Sequence, residues 1–470
     1  MELTIPAELM SKQNKSRPFE KQKPVTHRTD RSSMASLAGD RSSPPSMSRH
    51  VKEGRSLKAV PPPKSPAVGA MISRRSADRI RSGHVWVYAS DVESITATAA
   101  GGSEDAPALL PVADNRGLLL GTALYSPTSQ IALRMISHQS VNKSEWLQLL
   151  EQRLRKAIGR RRRLMSVETN ACRLCFSEAD ELPGIVADKY GDLVVLQLLA
   201  KGLDSEEVRS TCTRIFNDEL SPSAIVERPD PRVRELEGLS APSTAPLWAA
   251  DPEAPLTHFA FRLNGLEFQY DANAGQKTGA FLDQRENRAL VGQHTRAGGR
   301  ALDLFTYHGS FALHVARKAK TVLAVDQSTE ALARGAENAR LNGIGNIEWR
   351  EANAFDLLRE LERRREQFDT IALDPPAFAK TKASVERAVA GYKEVNLRAM
   401  KILAPGGVLF TSSCSYHVSR DIFSAMLADA ARDSGRRIQF LAATGAASDH
   451  PELLNVPETG YLKGVLLRAV

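Results

Sequence analysis

From about residue 300 to 414 the chain repeats one pattern: a short apolar run, a turn, then an amphipathic helix. "RALDLF" precedes "HGSFALHVARKA", "TVLAVD" precedes "QSTEALARGAENARLNG", and "NIEW" precedes "AFDLLRELERRR". "FDTIALD" then leads through a long helix (about 384 to 403) to "VLFTSSC". Strands separated by helices pair in parallel, so the repeat implies an α/β, doubly wound, Rossmann-like sheet. Such a sheet binds ligands beyond the carboxyl ends of its strands. Asp303, Asp326, Asp374 and Cys414 fall at those ends.

The loop after Asp303 carries a single glycine, Gly309, where a phosphate-cradling loop would carry three, and no G-x-x-x-x-G-K-[ST] occurs. An acid opening the loop repels phosphates. Carboxylates there suit a ligand with a free ammonium and ribose hydroxyls, with Asp326 placed for the ribose. S-adenosylmethionine has that chemistry. The plain alternative is that Asp303 and Asp326 cap helices.

The rest of the chain divides by composition. Residues 1–67 hold 13 Lys and Arg against 6 Asp and Glu, nearly the whole of the net charge of +8. That segment is rich in Ser and Pro and is expected to be a disordered basic tail, unable to bury enough apolar surface to offset chain entropy. Residues 68–140 read as short β runs ("HVWVYA", "ALLPVAD", "GLLLGTALY", "QIALRMIS") of a small β-rich domain. Residues 141–264 read as a helix ending in Arg160–Arg163, a small α/β unit, and a Pro-rich connector at 228–256. The four arginines suit the helix dipole; contact with RNA phosphates is the sharper reading. Cys172-x-x-Cys175 lacks the second pair that structural zinc needs, so no metal is expected. Four cysteines are too few for a disulfide scaffold, which points to the cytoplasm, and no apolar run approaches a membrane span.

With these motifs in order, the chain resembles the class I S-adenosylmethionine-dependent RNA methyltransferases. Within them it looks like the bacterial large-subunit rRNA methyltransferase I type, which makes 5-methylcytidine in 23S rRNA. "RIRSGHVWVYASDV" is similar to the start of that family's PUA domain. "SEADELPGIVADKYGDLVVLQ" resembles its central domain, and "GQKTGAFLDQRENR", "LDLFTYHGSFALHVA", "DPPAFAK", "SSCS" and "DHP…PETGYLK" resemble its methyltransferase domain, here 265–470. The sequence departs from the pattern at Val85, Ala280 and Asn353, which stand where Pro, an aromatic and Asp are common. The resemblance implies S-adenosylmethionine as cofactor and RNA, 23S rRNA in particular, as partner. It implies cofactor contacts from Gln276, Arg285, Asp303, Phe305, Gly309, Asp326, Asn353, Ala354 and Asp374.

Cytosine C5 is a poor nucleophile until a thiolate adds to C6, so the resemblance makes Cys414 the covalent catalyst and Asp374 its partner at the base. Only about 3% of an ordinary thiol is ionised at pH 7. The hydroxyls of "TSSCS" and nearby main-chain N–H groups are expected to favour the anion. His308 either points into the pocket or closes its turn, and Tyr416 and His417 follow the nucleophile. Two other functions stay open: a guanine N-methyltransferase, which would not need Cys414, and a non-catalytic RNA-binding ribosome-assembly factor.

Overall fold

The computed structural model describes residues 69–96, 108–271, 280–379 and 381–470. The basic tail and Gln276 lie outside the described residues.

The first unit is a six-stranded sheet of β1 (Gly69–Ile72), β2 (Trp86–Tyr88), β3 (Val92–Thr96), β4 (Leu109–Asp114), β5 (Leu119–Tyr125) and β6 (Ile131–Ser137), in the order β2-β6-β5-β4-β1-β3. The four expected strand runs are there. The helix α1 (Arg74–Arg81) was not legible: it is only eight residues long, and Ser73 caps it by accepting from the Ser76 N–H.

The second unit starts with α2 (Lys143–Arg161). Asn142 and Glu145 form a capping box at its start, and Trp146, Leu150, Leu154 and Ile158 form its buried stripe. Against it lies a five-stranded sheet built from β7 (Ala171–Phe176), β8 (Ile185–Tyr190), β9 (Leu193–Leu198), β10 (Ala224–Glu227) and β11 (Trp248–Ala249), with α3 (Glu206–Leu220) joining β9 to β10. Cys172 and Cys175 lie within β7, and all four cysteines are free and buried. The connector is less irregular than expected. It contains α4 (Pro231–Leu236), started by an Asp230 cap with Pro231 at the first position, and β11 pairs with β10. A hairpin of β12 (Phe259–Leu263) and β13 (Leu266–Tyr270) follows, turning at Asn264-Gly265.

The third unit is a seven-stranded sheet. Its strands are β14 (Arg300–Leu304), β15 (Thr321–Asp326), β16 (Ile347–Glu351), β17 (Phe368–Leu373), β18 (Leu403–Ser413), β19 (Ile438–Thr444) and β20 (Lys463–Ala469). Their order is β16-β15-β14-β17-β18-β20-β19. The helices α5 (Arg285–His294), α6 (Ser310–Ala316), α7 (Thr329–Leu341), α8 (Ala354–Arg363), α9 (Val385–Lys401) and α10 (Arg420–Ser434) cover its faces. The strands β14 to β18 are parallel, as the β/α repeat requires, but β20 runs antiparallel between β18 and β19. Its first residue, Lys463, therefore stands beside Ser413, the last residue of β18.

Buried polar contacts join the units. Trp86 Nε1 donates to Glu178 Oε1 at 2.8 Å, and Arg134 pairs with Glu237 at 2.9 Å. Arg161 does not face solvent for RNA: it holds Asp180 through two hydrogen bonds of 2.6 and 2.7 Å and also donates to the Asp449 carbonyl. Asp449, from the segment between β19 and β20, also accepts from the Arg173 N–H of β7 at 2.9 Å.

Candidate active site

Parallel strands end on one edge, so β14, β15, β17 and β18 deliver Asp303, Asp326, Asp374 and Cys414 to a single rim. Asp374 is the first residue after β17 and Cys414 the first after β18, on neighbouring strands.

Asp303 is fully buried. Its Oδ2 accepts from Thr306 Oγ1 at 2.5 Å and from the Ala312 N–H at 2.8 Å, so it closes the loop and caps α6. Its Oδ1 has no partner among the described residues. Burial dominates and pushes its pKa up to about 7, against the pull of those two hydrogen bonds. Asp326 accepts from the Tyr307 N–H at 2.8 Å and the Ser328 N–H at 3.0 Å, which pins the same loop to the end of β15. Phe305 and Tyr307 sit at φ +64° and +51°, the left-handed region that costs non-glycine residues energy. Strain of this kind collects at ligand loops. Gly309, at φ +82°, has no room for a side chain, because a Cβ there would collide with the Trp349 ring.

Several expected cofactor contacts are otherwise engaged. Asn353 Oδ1 caps α8, accepting from the Phe355 and Asp356 N–H groups, so it is not free for an adenine amine. The Ala354 methyl packs into the core as the first residue of α8, so only its main chain is placed to meet a ligand. Arg285 pairs with Asp449, Nη2 to Oδ1 at 3.1 Å, at the junction with β7, while its Nε has no partner among the described residues. A sequence pattern cannot tell which arginine of "DQRENR" faces the rim, because helical phase relative to the sheet is a packing outcome. The one that does is Arg288, a turn further along α5. It is buried, its Nε and Nη1 have no partner among the described residues, and Asp283, Asp374 and Asp303 are the carboxylates around it.

Other members of the site were also missed. Gln284 Nε2 donates to Asp374 Oδ1 at 2.8 Å, and Ser412 Oγ donates to the same oxygen. Tyr461 OH donates to the buried Asp283 Oδ2 at 2.6 Å. His308 is buried, edge-on to Phe268 and Tyr307, and burial drives its pKa down to about 3. Tyr416 is 40% exposed, with its ring edge-on to His417.

Cys414 is 9% exposed and packs with Phe176, Tyr461 and Leu462. Its thiol donates to the Pro375 carbonyl at 3.8 Å. Burial first, then the Asp374 and Asp283 carboxylates, push its pKa up to about 12, while the Lys463 ammonium pulls it down. The neighbouring hydroxyls do not serve the sulfur as expected. Ser412 bonds Asp374, Ser413 accepts from the Ser415 N–H, and Ser415 bonds Tyr392 and the Ala379 N–H. Alternating strand geometry sends Ser413 and Ser415 to the face opposite Cys414, and Ser412, on the same face, is spent on Asp374.

A family model for S-adenosylmethionine-dependent methyltransferases matches residues 175–468, and one for PUA-like domains matches residues 71–138. The ribosomal RNA large subunit methyltransferase I of Tolumonas auensis is 35% identical over 393 residues, 82% of this chain and 96% of its own. That of Aeromonas salmonicida is 36% identical over 390 residues, 82% of this chain and 95% of its own. The chain belongs to this methyltransferase family. Two solved methyltransferase structures, one from Streptococcus mutans and one complexed with S-adenosylhomocysteine, share the fold. Each has a TM-score of 0.70, at 20% and 21% identity, covering 85% of this chain and 100% of its own. The chain is thus an S-adenosylmethionine-dependent enzyme with an N-terminal PUA-like domain.

The rim suits that cofactor on its own chemistry. The amino-acid end of S-adenosylmethionine carries an ammonium and a carboxylate. Asp303 Oδ1 is a buried acceptor, and Arg288 Nε and Nη1 are buried donors, with nothing else in the described chain to satisfy them. Buried polar groups left open in this way are costly unless a ligand completes them. Among the described residues no cluster of His, Cys, Asp and Glu is placed to hold a metal, and no helix is long and apolar enough to cross a membrane.

Proposed function

We propose that this methyltransferase modifies C5 of a cytosine in large-subunit rRNA, with Cys414 as nucleophile, in the cytoplasm. The observation that carries the reading is the placement of Cys414 and Asp374 as the first residues past two adjacent parallel strands. Its relatives are named as large-subunit rRNA methyltransferases, which supports the substrate class. Four free thiols suit a reducing compartment. In this reading residues 68–140 grip RNA, 141–264 form the central unit with its connector, and 265–470 form the catalytic unit.

Asp303 and Arg288 hold the ammonium and carboxylate of the cofactor, and Asp326 with the strained Phe305–Gly309 loop borders its ribose. When bound, S-adenosylmethionine supplies an electrophilic methyl group on a sulfonium. Asp374, its Oδ1 fixed by Gln284 and Ser412, meets the amine or N3 of a cytosine taken out of its stack. Its raised pKa, from burial first and the nearby Asp283 carboxylate, suits sharing a proton with that edge. The Cys414 thiolate adds to C6, and the electron pair of the C5–C6 double bond moves onto C5, which becomes the nucleophile. After C5 is methylated and its proton has left to a base, the S–C6 bond breaks and the ring double bond returns. Guanine N-methylation would leave Cys414 idle.

The test is RNA containing 5-fluorocytidine, incubated with enzyme and cofactor. Fluorine at C5 cannot leave as a proton, so a covalent adduct that survives denaturation is expected, and it is absent with Cys414→Ala. An equal adduct in the variant refutes the nucleophile.

A further inference from the structure

Lys463 is 4% exposed at the start of β20. Its Nζ donates to the Ser415 and Tyr461 carbonyls, both at 2.7 Å. Among the described residues no carboxylate pairs with it within 4.0 Å. A buried ammonium held by neutral dipoles alone is expensive, and proteins keep such a charge where another charge uses it. An ammonium has three N–H bonds, and two carbonyls occupy two of them. Both carbonyls belong to the surroundings of one sulfur atom: Ser415 is the residue after Cys414, and Tyr461 packs on Cys414.

We infer that Lys463 is the positioning residue that supplies the counter-charge for the Cys414 thiolate, held at the strand edge by the Ser415 and Tyr461 carbonyls. The inference rests on Cys414 being the nucleophile. Its logic is one of sign. Among the described residues, the charged groups the sulfur feels are the Asp374 and Asp283 carboxylates, which oppose ionisation, and Lys463, which favours it. The Tyr392 and Tyr461 hydroxyls nearby are pushed up by burial and stay neutral. Around Lys463 itself, burial lowers the ammonium to about 8, Cys414 and Glu452 hold it up, and Arg420 opposes them. A thiolate ringed by carboxylates needs one cation on its side, and the antiparallel β20 brings one to the end of β18. No surface lysine could do this, because water would screen it.

The experiment follows alkylation of Cys414 by iodoacetamide at pH 7, where Lys463 is charged, in the full-length, cofactor-free enzyme, by mass spectrometry of the Cys414 peptide. Lys463→Gln keeps a donor for the carbonyls and removes the charge; it is expected to slow alkylation about tenfold, the effect of one pKa unit. Lys463→Arg keeps the charge and is expected to stay within about threefold of wild type. Alkylation of Lys463→Gln at the wild-type rate overturns the inference. Equal slowing in the Gln and Arg variants also overturns it, since that reports a tie between strands. If Lys463→Gln does not fold, as judged by circular dichroism and cofactor calorimetry, Lys463→Met carries the same comparison. The two readings fail separately. A 5-fluorocytidine adduct that persists in Cys414→Ala ends the nucleophile reading. An adduct that depends on Cys414, with unchanged alkylation in Lys463→Gln, ends only this inference.

Discussion

Cys212 in α3 and Cys414 past β18 have thiols buried in two different units of the chain, and in both burial is the main cause that pushes the pKa up to about 12. Around Cys212 one charged group is felt, the Glu227 carboxylate, and the rest is the apolar core between α2, α3 and the five-stranded sheet. Around Cys414 are two carboxylates, an ammonium and an aromatic hydroxyl at the open end of a sheet. Two carboxylates repeat the contrast. Asp114 of the PUA-like sheet is buried too, but the Leu118 and Arg116 N–H groups and the Arg81 guanidinium outweigh that burial and hold its pKa at about 2. Asp303 has one oxygen satisfied and one open, and sits at about 7. Burial alone therefore says little about role. What separates Asp303 from Asp114 is that Asp303 Oδ1 has no partner among the described residues, whereas both oxygens of Asp114 accept hydrogen bonds.

The largest effect should come from the cysteines. Cys414→Ala is expected to cut methyl transfer at least about a thousandfold, as nucleophile removal does elsewhere. Cys212→Ala should leave turnover within about threefold and cost about 1 kcal/mol in chemical denaturation. Similar turnover losses would break the comparison.

Next come the two arginines of α5. Arg288→Gln should weaken S-adenosylmethionine binding by calorimetry by roughly tenfold to a hundredfold, the worth of a charge-assisted hydrogen bond of about 1.5–3 kcal/mol. Arg285→Gln should leave that affinity nearly intact and instead cost about 1–3 kcal/mol of stability, by taking one charged partner from the buried Asp449, which keeps His450 and the Arg173 N–H. Exchange of the two phenotypes would reverse the assignment.

Smaller effects lie in the pH dependence of the cofactor-free enzyme. Asp114 ionises more readily folded than unfolded, so its stability is present above about pH 4 and lost as pH falls through about 2. Asp303 has the opposite sign. Between about pH 4 and 7 the unfolded chain sheds the proton that the folded chain keeps, so stability falls over that window and levels off above it. Thermal melts should show the first slope vanish in Asp114→Asn and the second in Asp303→Asn. Asp303→Asn should melt no lower than wild type at pH 7.5 while binding the cofactor more weakly. A lower melting point there would make Asp303 a structural carboxylate like Asp114.

Much of this was legible in the residues. The β/α repeat dictated parallel strands, parallel strands share a carboxyl edge, and so the repeat alone puts Asp303, Asp326, Asp374 and Cys414 on one rim. The helix ending in Arg160–Arg163 and the four β runs of residues 68–140 also read directly, since both are local patterns. The short α1 and α4 did not, because six to eight residues carry too little periodicity to register.

The sequence by itself determined the strand-end positions of the reactive groups, because chain direction within a β/α repeat is a local consequence of alternating hydrophobic periods. Only the tertiary structure decided their partners. It set Arg285 against Asp449 and Arg288 among the rim carboxylates through the packing of α5, spent Ser412 on Asp374 and Ser415 on Tyr392, and reversed β20 so that Lys463 arrives beside Ser413, the residue before Cys414. These contacts join residues far apart in the chain, 38 positions for Ser412 and Asp374 and 164 for Arg285 and Asp449. Their geometry follows from how faces pack, which no local pattern encodes.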